Sequence, residues 1–263
     1  MPHASLLVPK VSEMALLEVQ GVTRRFGGLP AVDDLSFAVN EGEILGIIGP
    51  NGAGKTTLLN LISALLPVSA GTILFRGRPI TGMPPHAIAE MGVARTFQIV
   101  KPLKGLTVRE NVAVGAMFGQ RNGGLPTRPA LAKADEVLEF VALGARASAA
   151  VTSLTIADRK RLELARALAM EPALLLLDEV MAGLNAKEVE WAMGLIQQVN
   201  RRGVTILVIE HVMKAIMGIS HRILVLHHGR RIALGTPPEV AADTTVVEAY
   251  LGRGYAERQR AGA

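Results

Sequence analysis

Residues 49–57 read GPNGAGKTT and stand between the apolar run EGEILGIIGP (41–50) and TTLLNLISALL (56–66). In the second of these, the apolar positions 58, 59, 61, 62, 65 and 66 repeat with a helical period up to Pro67. A chain that sets G-x-x-x-x-G-K-[ST] between a buried strand and an amphipathic helix must turn sharply from one into the other. Gly49, Gly52 and Gly54 allow that turn and let the backbone approach an anion closely. Pro50, Asn51 and Ala53 fill the loop between them, so that successive N–H groups can surround phosphate oxygens at a helix N-terminus, where the helix dipole also favours negative charge. Lys55 adds a point charge for the β and γ phosphates, the Thr56 hydroxyl can ligate Mg²⁺, and Thr57 ends the motif. The alternative is an accidental glycine-rich turn, and the flanking strand and helix argue against it.

The remaining periodicity predicts an α/β fold around this loop. ALLEVQGVTRRF (15–26) and AVDDLSFAVN (31–40) space their apolar residues by two, which predicts a small antiparallel β layer. ALLLLDE (173–179) and VTILVIE (204–210) flank the helical pattern AKEVEWAMGLIQQVNRR (186–202), a spacing that predicts βαβ units and a mainly parallel sheet. RILVLHHGRRIALG (222–235) reads as a hairpin turning at Gly229. Residues 98–168 are predicted to form an α-helical subdomain inserted into the α/β core, with a polar break at 119–129 and an amphipathic stretch at 130–143. Residues 1–13 are expected to be a disordered extension, 14–252 one domain and 253–263 a loose tail, with Met14 an alternative start of translation.

Two strand ends carry further chemistry. ALLLLDE delivers Asp178 and Glu179 to the carboxyl edge of the sheet, where open α/β folds bind ligands. Asp178 is placed to bind the magnesium ion through its water shell, and Glu179 to polarise an attacking water. VTILVIEH brings His211 to the same edge. His3, His86, His221, His227 and His228 have no such placement and are read as surface or turn residues. Gln98, in ARTFQIV, lies where the core passes into the helical insert, and a Gln there can coordinate the ion and report it to a moving segment. Phe26 either stacks on a base or plugs the β layer.

Composition narrows the alternatives. The 263 residues are 49% hydrophobic and 19% charged, enough to bury a large core, and with aromatics at 3% that core must be built from Ala, Val, Ile, Leu and Met. There are no cysteines, which excludes disulfide frameworks and thiolate metal sites. The apolar runs are strand-sized and far short of the ~20 residues of a spanning helix. Lys and Arg number 28 against 23 Asp and Glu, a net charge of +5, and they are scattered, so no nucleic-acid partner is expected.

Taken in order, these motifs resemble the nucleotide-binding subunit of ABC transporters from about Leu16 to Gly252. The resemblance implies an aromatic nucleotide contact at Phe26 with Val32 beside it, a Walker A loop at 49–57, a Q-loop Gln98 and a signature at 154–158. It also implies a Walker B end at Asp178 and Glu179, a D-loop AGLN (182–185) and a switch His211. By it Glu179 is the general base, His211 the γ-phosphate sensor, Gln98 the coupling residue, and Thr56, Gln98 and Asp178 the magnesium set, with ATP as cofactor. RRFGGLPAVDDLSF, RTFQIVKPLKGLTVRENV, LLLLDEVMAGLN and IALGTPPEV…VVEAYLG look closer still to the ATP-binding subunits of branched-chain amino acid importers. That likeness implies a peripheral subunit on the cytoplasmic face of the inner membrane, bound to integral-membrane permeases and a second ATP-binding subunit and served indirectly by a periplasmic substrate-binding protein. A soluble repair or translation ATPase of the same family is disfavoured by the single cassette and the lack of a heptad run. A cassette that binds ATP with little turnover is opposed by Glu179 and His211.

The segment LTIAD (154–158) departs from this family's LSGGQ. Leu154 matches and Thr155 keeps the hydroxyl, while Ile156, Ala157 and Asp158 differ. Thr155-x-x-Asp158 is expected to act as a capping box that leaves the helix start able to receive an anion, although such a box by itself needs no ligand. It is the resemblance that implies contact of Leu154, Thr155, Ala157 and Asp158 with nucleotide held by a second subunit. Arg159, Lys160 and Arg161 follow, three cations where the helix dipole disfavours them unless anions are near, and Glu163 is expected to answer Arg159. The charge of Asp158 is expected to weaken closure on ATP.

Overall fold

The computed structural model describes residues 15–97, 102–119 and 124–251. The expected extension at 1–13, the tail at 253–263 and Gln98 lie outside the described residues. The chain begins with β1 (Ala15–Phe26), β2 (Leu29–Asn40), β3 (Ile44–Ile48), α1 (Lys55–Ile62), β4 (Ala70–Phe75), β5 (Arg78–Pro79), α2 (Pro85–Glu90) and β6 (Val93–Arg95). The helical part follows with α3 (Val108–Met117), α4 (Thr127–Phe140) and α5 (Ile156–Ala169). It returns to the core through β7 (Leu174–Asp178), α6 (Ala186–Arg201), β8 (Thr205–Ile209), α7 (Met213–Ile219), β9 (Arg222–His227), β10 (Arg230–Gly235), α8 (Pro237–Ala242) and α9 (Thr244–Leu251).

The strands form two sheets. One is antiparallel in the order β2-β1-β4-β5; the other runs β10-β9-β3-β8-β7-β6, with every pair parallel except β10 against β9. The central strands are buried on both faces, which is why they read as unbroken apolar runs. Their alternation divides them between two cores. Leu45, Ile47, Leu174, Leu176, Leu207 and Ile209 face α1 and the antiparallel layer. Ile44, Ile48, Leu175, Leu177, Ile206 and Val208 face the helices on the other side.

Two boundaries move from their expected places. Helix α1 ends at Ile62 because Ala64 turns left-handed with φ 53°, so Leu65 lies outside the helix and is exposed. Helix α4 starts at Thr127, inside the stretch expected to break; Pro129 is its third residue, where a missing N–H leaves no helical bond unmade. In the helical part, α3, α4 and α5 pack through small and aliphatic residues such as Val112, Ala116, Ala134, Leu138, Leu162 and Ala165.

Asn111 in α3 is fully buried and holds the segment before its own helix. Its Oδ1 accepts the Leu103 N–H at 2.8 Å, and its Nδ2 donates to the carbonyls of Leu103 at 3.2 Å and Thr107 at 2.9 Å. Asn111→Ala strands these backbone groups, so we expect a loss of about 2 kcal/mol or more in urea unfolding. A loss within about 0.5 kcal/mol, as for a surface substitution, would refute this role.

Candidate active site

Because β3, β8, β7 and β6 run parallel, their carboxyl ends share one edge. The loop after β3 is shaped by close backbone contacts. A Cβ on Gly49 (φ 153°) would lie 2.2 Å from the Leu226 carbonyl oxygen, and one on Gly54 (φ 99°) would lie 2.3 Å from that of Ala31. Neither position admits a side chain. The β9–β10 turn supports the loop from behind, with the Gly229 N–H donating to the Ala53 carbonyl at 3.0 Å and the Gly229 carbonyl accepting the Asp33 N–H at 2.9 Å. Gly54 begins α1 without a side-chain cap, so the first-turn N–H groups remain available to an anion.

Lys55 is buried, and its Nζ donates to the carbonyls of Gly49 at 2.7 Å and Pro50 at 3.1 Å. Burial pulls its pKa down, against the pull of the Glu179 and Asp178 carboxylates. Asn51, Gly52 and Thr56 are exposed, Pro50 and Thr57 are half-buried, and Ala53 is buried. Phe26 ends β1 half-exposed, with the Arg24 guanidinium 4.7 Å from its ring centre. Val32 departs from expectation: its side chain is wholly buried in the core beside the loop and supports it from within, offering no surface to a ligand.

At the end of β7, Asp178 is buried and its Oδ2 accepts from Arg95 Nη2 at 3.1 Å, while Oδ1 is buried with no hydrogen-bond partner. Burial pushes its carboxyl pKa up, and Arg95 opposes this. The next residue, Glu179, is left-handed with φ 53°, a strained backbone of the kind that gathers at functional sites. Its Oε1 lies 2.7 Å from His211 Nε2, so the expected base and switch are joined directly.

Three residues of this site escape the motif reading. Arg95 appears in sequence only as a charge after two small apolar residues, Glu210 as the neighbour of a more conspicuous histidine, and Lys160 as one cation among three. Glu210 is buried; its Oε1 accepts the Met181 N–H at 2.7 Å, and its carboxyl also takes the His211 N–H. Lys160 Nζ donates to the carbonyls of Glu179 at 3.2 Å and of Ala182.

The 154–158 segment differs from expectation in three ways. Thr155 caps α5 by accepting the Asp158 N–H at 3.1 Å, but only half of the capping box forms, because the Asp158 carboxylate turns to Arg161 Nη1 at 3.7 Å. Glu163 accepts from Arg166 at 3.0 Å and from the Phe97 N–H rather than from Arg159, whose Nη2 reaches the Thr152 carbonyl at 3.4 Å. The cations are also answered inside the protein, Lys160 by carbonyls and Arg161 by the Trp191 ring 4.1 Å away, so they do not require a bound anion. Leu154 is buried, Thr155 exposed, and Ile156 exposed at 69%. Among the described residues no hydrogen bond or ion pair joins 154–158 to the loop at 49–57.

Burial pushes the Glu210 carboxyl from 4.5 up to about 7, opposed by the Met181 and His211 N–H groups and by Lys160. The folded form then holds its proton to higher pH than the unfolded form, so this group costs nothing below about pH 4.5 and destabilises progressively up to about pH 7. Glu210→Gln removes that titration. Between about pH 5 and about pH 8 the parent should lose about 2 to 3 kcal/mol more stability than the variant in thermal or urea unfolding. Parallel profiles would show that the carboxyl titrates normally.

Residues 32–182 match the family described as ABC transporter, and residues 230–256 match that described as Branched-chain amino acid ATP-binding cassette transporter. The high-affinity branched-chain amino acid transport ATP-binding protein LivG of Salmonella typhimurium is 42% identical over 249 residues, which span 90% of this chain and 98% of LivG. A solved ABC transporter cassette in its ADP conformation is 30% identical with a TM-score of 0.81, covering 91% of this chain and 100% of that one. A dimeric cassette in a post-hydrolysis state, bound to ADP and Pi, is 25% identical with a TM-score of 0.76 over 84% of this chain and 98% of its own. Similarity of this extent, over a chain that carries the loop, the acidic strand end and the paired histidine in one edge, assigns the protein to the ATP-binding subunits of the ABC transporter family.

Proposed function

We propose that this chain binds and hydrolyses ATP as the motor subunit of an importer for branched-chain or other amino acids. The observation that carries the reading is the Glu179–His211 contact at the same sheet edge as the buried Lys55 and the uncapped start of α1. Phosphates would lie on the N–H groups of residues 49–57, with Lys55 exchanging loop carbonyls for phosphate oxygens and Phe26 offering its half-exposed ring to the base. Thr56, Asp178 and Gln98 would hold a Mg²⁺ ion, and the unpartnered Oδ1 of Asp178 suits a hard cation or its bound water. When bound, the ion neutralises charge on the phosphates.

The Glu179 carboxylate takes the proton of the attacking water, and His211, donating from Nε2, holds that carboxylate in position. The 154–158 segment of a second ATP-binding subunit would close over the γ phosphate, a pairing that the dimeric relative supports. Closure would drive integral-membrane permeases from the cytoplasmic face of the membrane, with a periplasmic binding protein supplying cargo; the likeness to a branched-chain amino acid transport ATP-binding protein supports the coupling to transport.

Glu179→Gln keeps the shape and removes the base. Phosphate release by the purified chain should fall by about 100-fold or more with ATP affinity retained, and unaltered turnover would refute the assignment. Asp158→Gln removes a carboxylate from the closing surface. In the Glu179→Gln background it should raise the dimer fraction formed with ATP in light scattering, and no change or a decrease would refute the weakening role of Asp158.

A further inference from the structure

The four-residue turn Glu179–Ala182 is gripped by two charged side chains that the motifs leave without a role. The turn is closed by the Ala182 N–H donating to the Glu179 carbonyl at 3.2 Å, and it starts at the left-handed Glu179. Its sequence, Glu-Val-Met-Ala, has neither proline nor glycine to preset that conformation, and two side chains from other elements bind its backbone. From the end of β8, Glu210 accepts the Met181 N–H and also the N–H of His211. From the second turn of α5, Lys160 Nζ donates to the carbonyls at both ends of the turn, Glu179 and Ala182.

Burial lowers the Lys160 pKa, so its ammonium gives up hydration to make these contacts. A cation placed only for solubility would have stayed in water. Lys160 also stands one helical turn beyond the start of α5, where Thr155 caps the helix. Any shift of the 154–158 segment therefore moves, through a rigid turn of helix, the group that holds the Glu179 backbone.

We propose, resting on the ATPase reading above, that Lys160 is a positioning residue for the Glu179 carboxylate and carries the state of this chain's own 154–158 segment to its own hydrolytic turn. The alternative is a structural tie between α5 and the core. Lys160→Met keeps the aliphatic stem and removes the ammonium, and Lys160→Arg restores a cation able to donate to both carbonyls. For Lys160→Met we expect kcat for ATP to fall about tenfold with KM within about twofold of the parent, and for Lys160→Arg we expect at least half the parent turnover. A structural tie would instead lower the melting temperature and leave kcat of the folded protein alone.

Amide hydrogen exchange of the peptide covering 179–183 gives a second readout that does not depend on turnover. It should be faster in Lys160→Met than in the parent, and ATP should slow it in the parent but not in that variant. Unchanged kcat, a loss that arginine does not restore, or equal exchange in the two proteins would overturn the proposal. If the parent itself releases no phosphate, the ATPase reading fails, and the role of Lys160 is then decided by the exchange alone.

Discussion

Backbone pairing sets Ile47 of β3 against Ile209 of β8, and the same Ile209 against Asp178 of β7. The site hangs from this register. It places the phosphate loop one residue beyond Ile48, the acidic pair at the end of β7, and Glu210 and His211 directly after β8. A slip of one residue would turn every side chain of a central strand to the opposite face and send Asp178 into the wrong core. Burial of both faces resists such a slip, because each strand divides its aliphatic residues between two differently shaped cores.

The rim of this edge concentrates charge in a place that burial makes costly. Asp178 is met by Arg95, Glu210 by two N–H groups and Lys160, and Lys55 by loop carbonyls and the field of two carboxylates. Such arrangements contribute little net stability, since desolvation offsets most of the attraction, but losing one partner leaves the other exposed to the full penalty. Their effect is geometric. Glu179 sits in a backbone conformation that it would not hold alone, and its neighbours over-determine it. The unpartnered Oδ1 of Asp178 is the one site in this group where the protein leaves a buried oxygen for something else to satisfy.

Much of the fold was legible because its signals are local. The two-residue period of 15–26, the helical period of 186–202 and the tight turn at Gly229 each follow from side chains a few positions apart, and the observed elements lie within a few residues of the expected ranges. The misplaced ends have local causes that composition does not reveal. Ala64 adopts a left-handed backbone that alanine rarely favours, and Pro129 falls where a helix tolerates it. Candidate residues with a spacing signature, such as Lys55 and the Asp178–Glu179 pair, could be placed at the sheet edge from the sequence. Arg95, Lys160 and Glu210 could not be, because the contacts that tie them to the site reach Asp178, 83 residues away, the Glu179 and Ala182 carbonyls, 19 and 22 away, and Met181, 29 away.

By itself, then, the sequence determined the strand–loop–helix that can cradle phosphate, the order of elements around it, and which acids and which histidine reach the edge of the sheet. It could not determine that Glu179 and His211 touch, that Val32 lies beneath the loop rather than at its surface, or that Lys160 and Arg161 meet the Glu179 and Ala182 carbonyls and the Trp191 ring. Those facts depend on contacts between segments distant in the chain. Only the packed tertiary structure decides them, because only burial makes an unanswered charge costly enough to choose its partner.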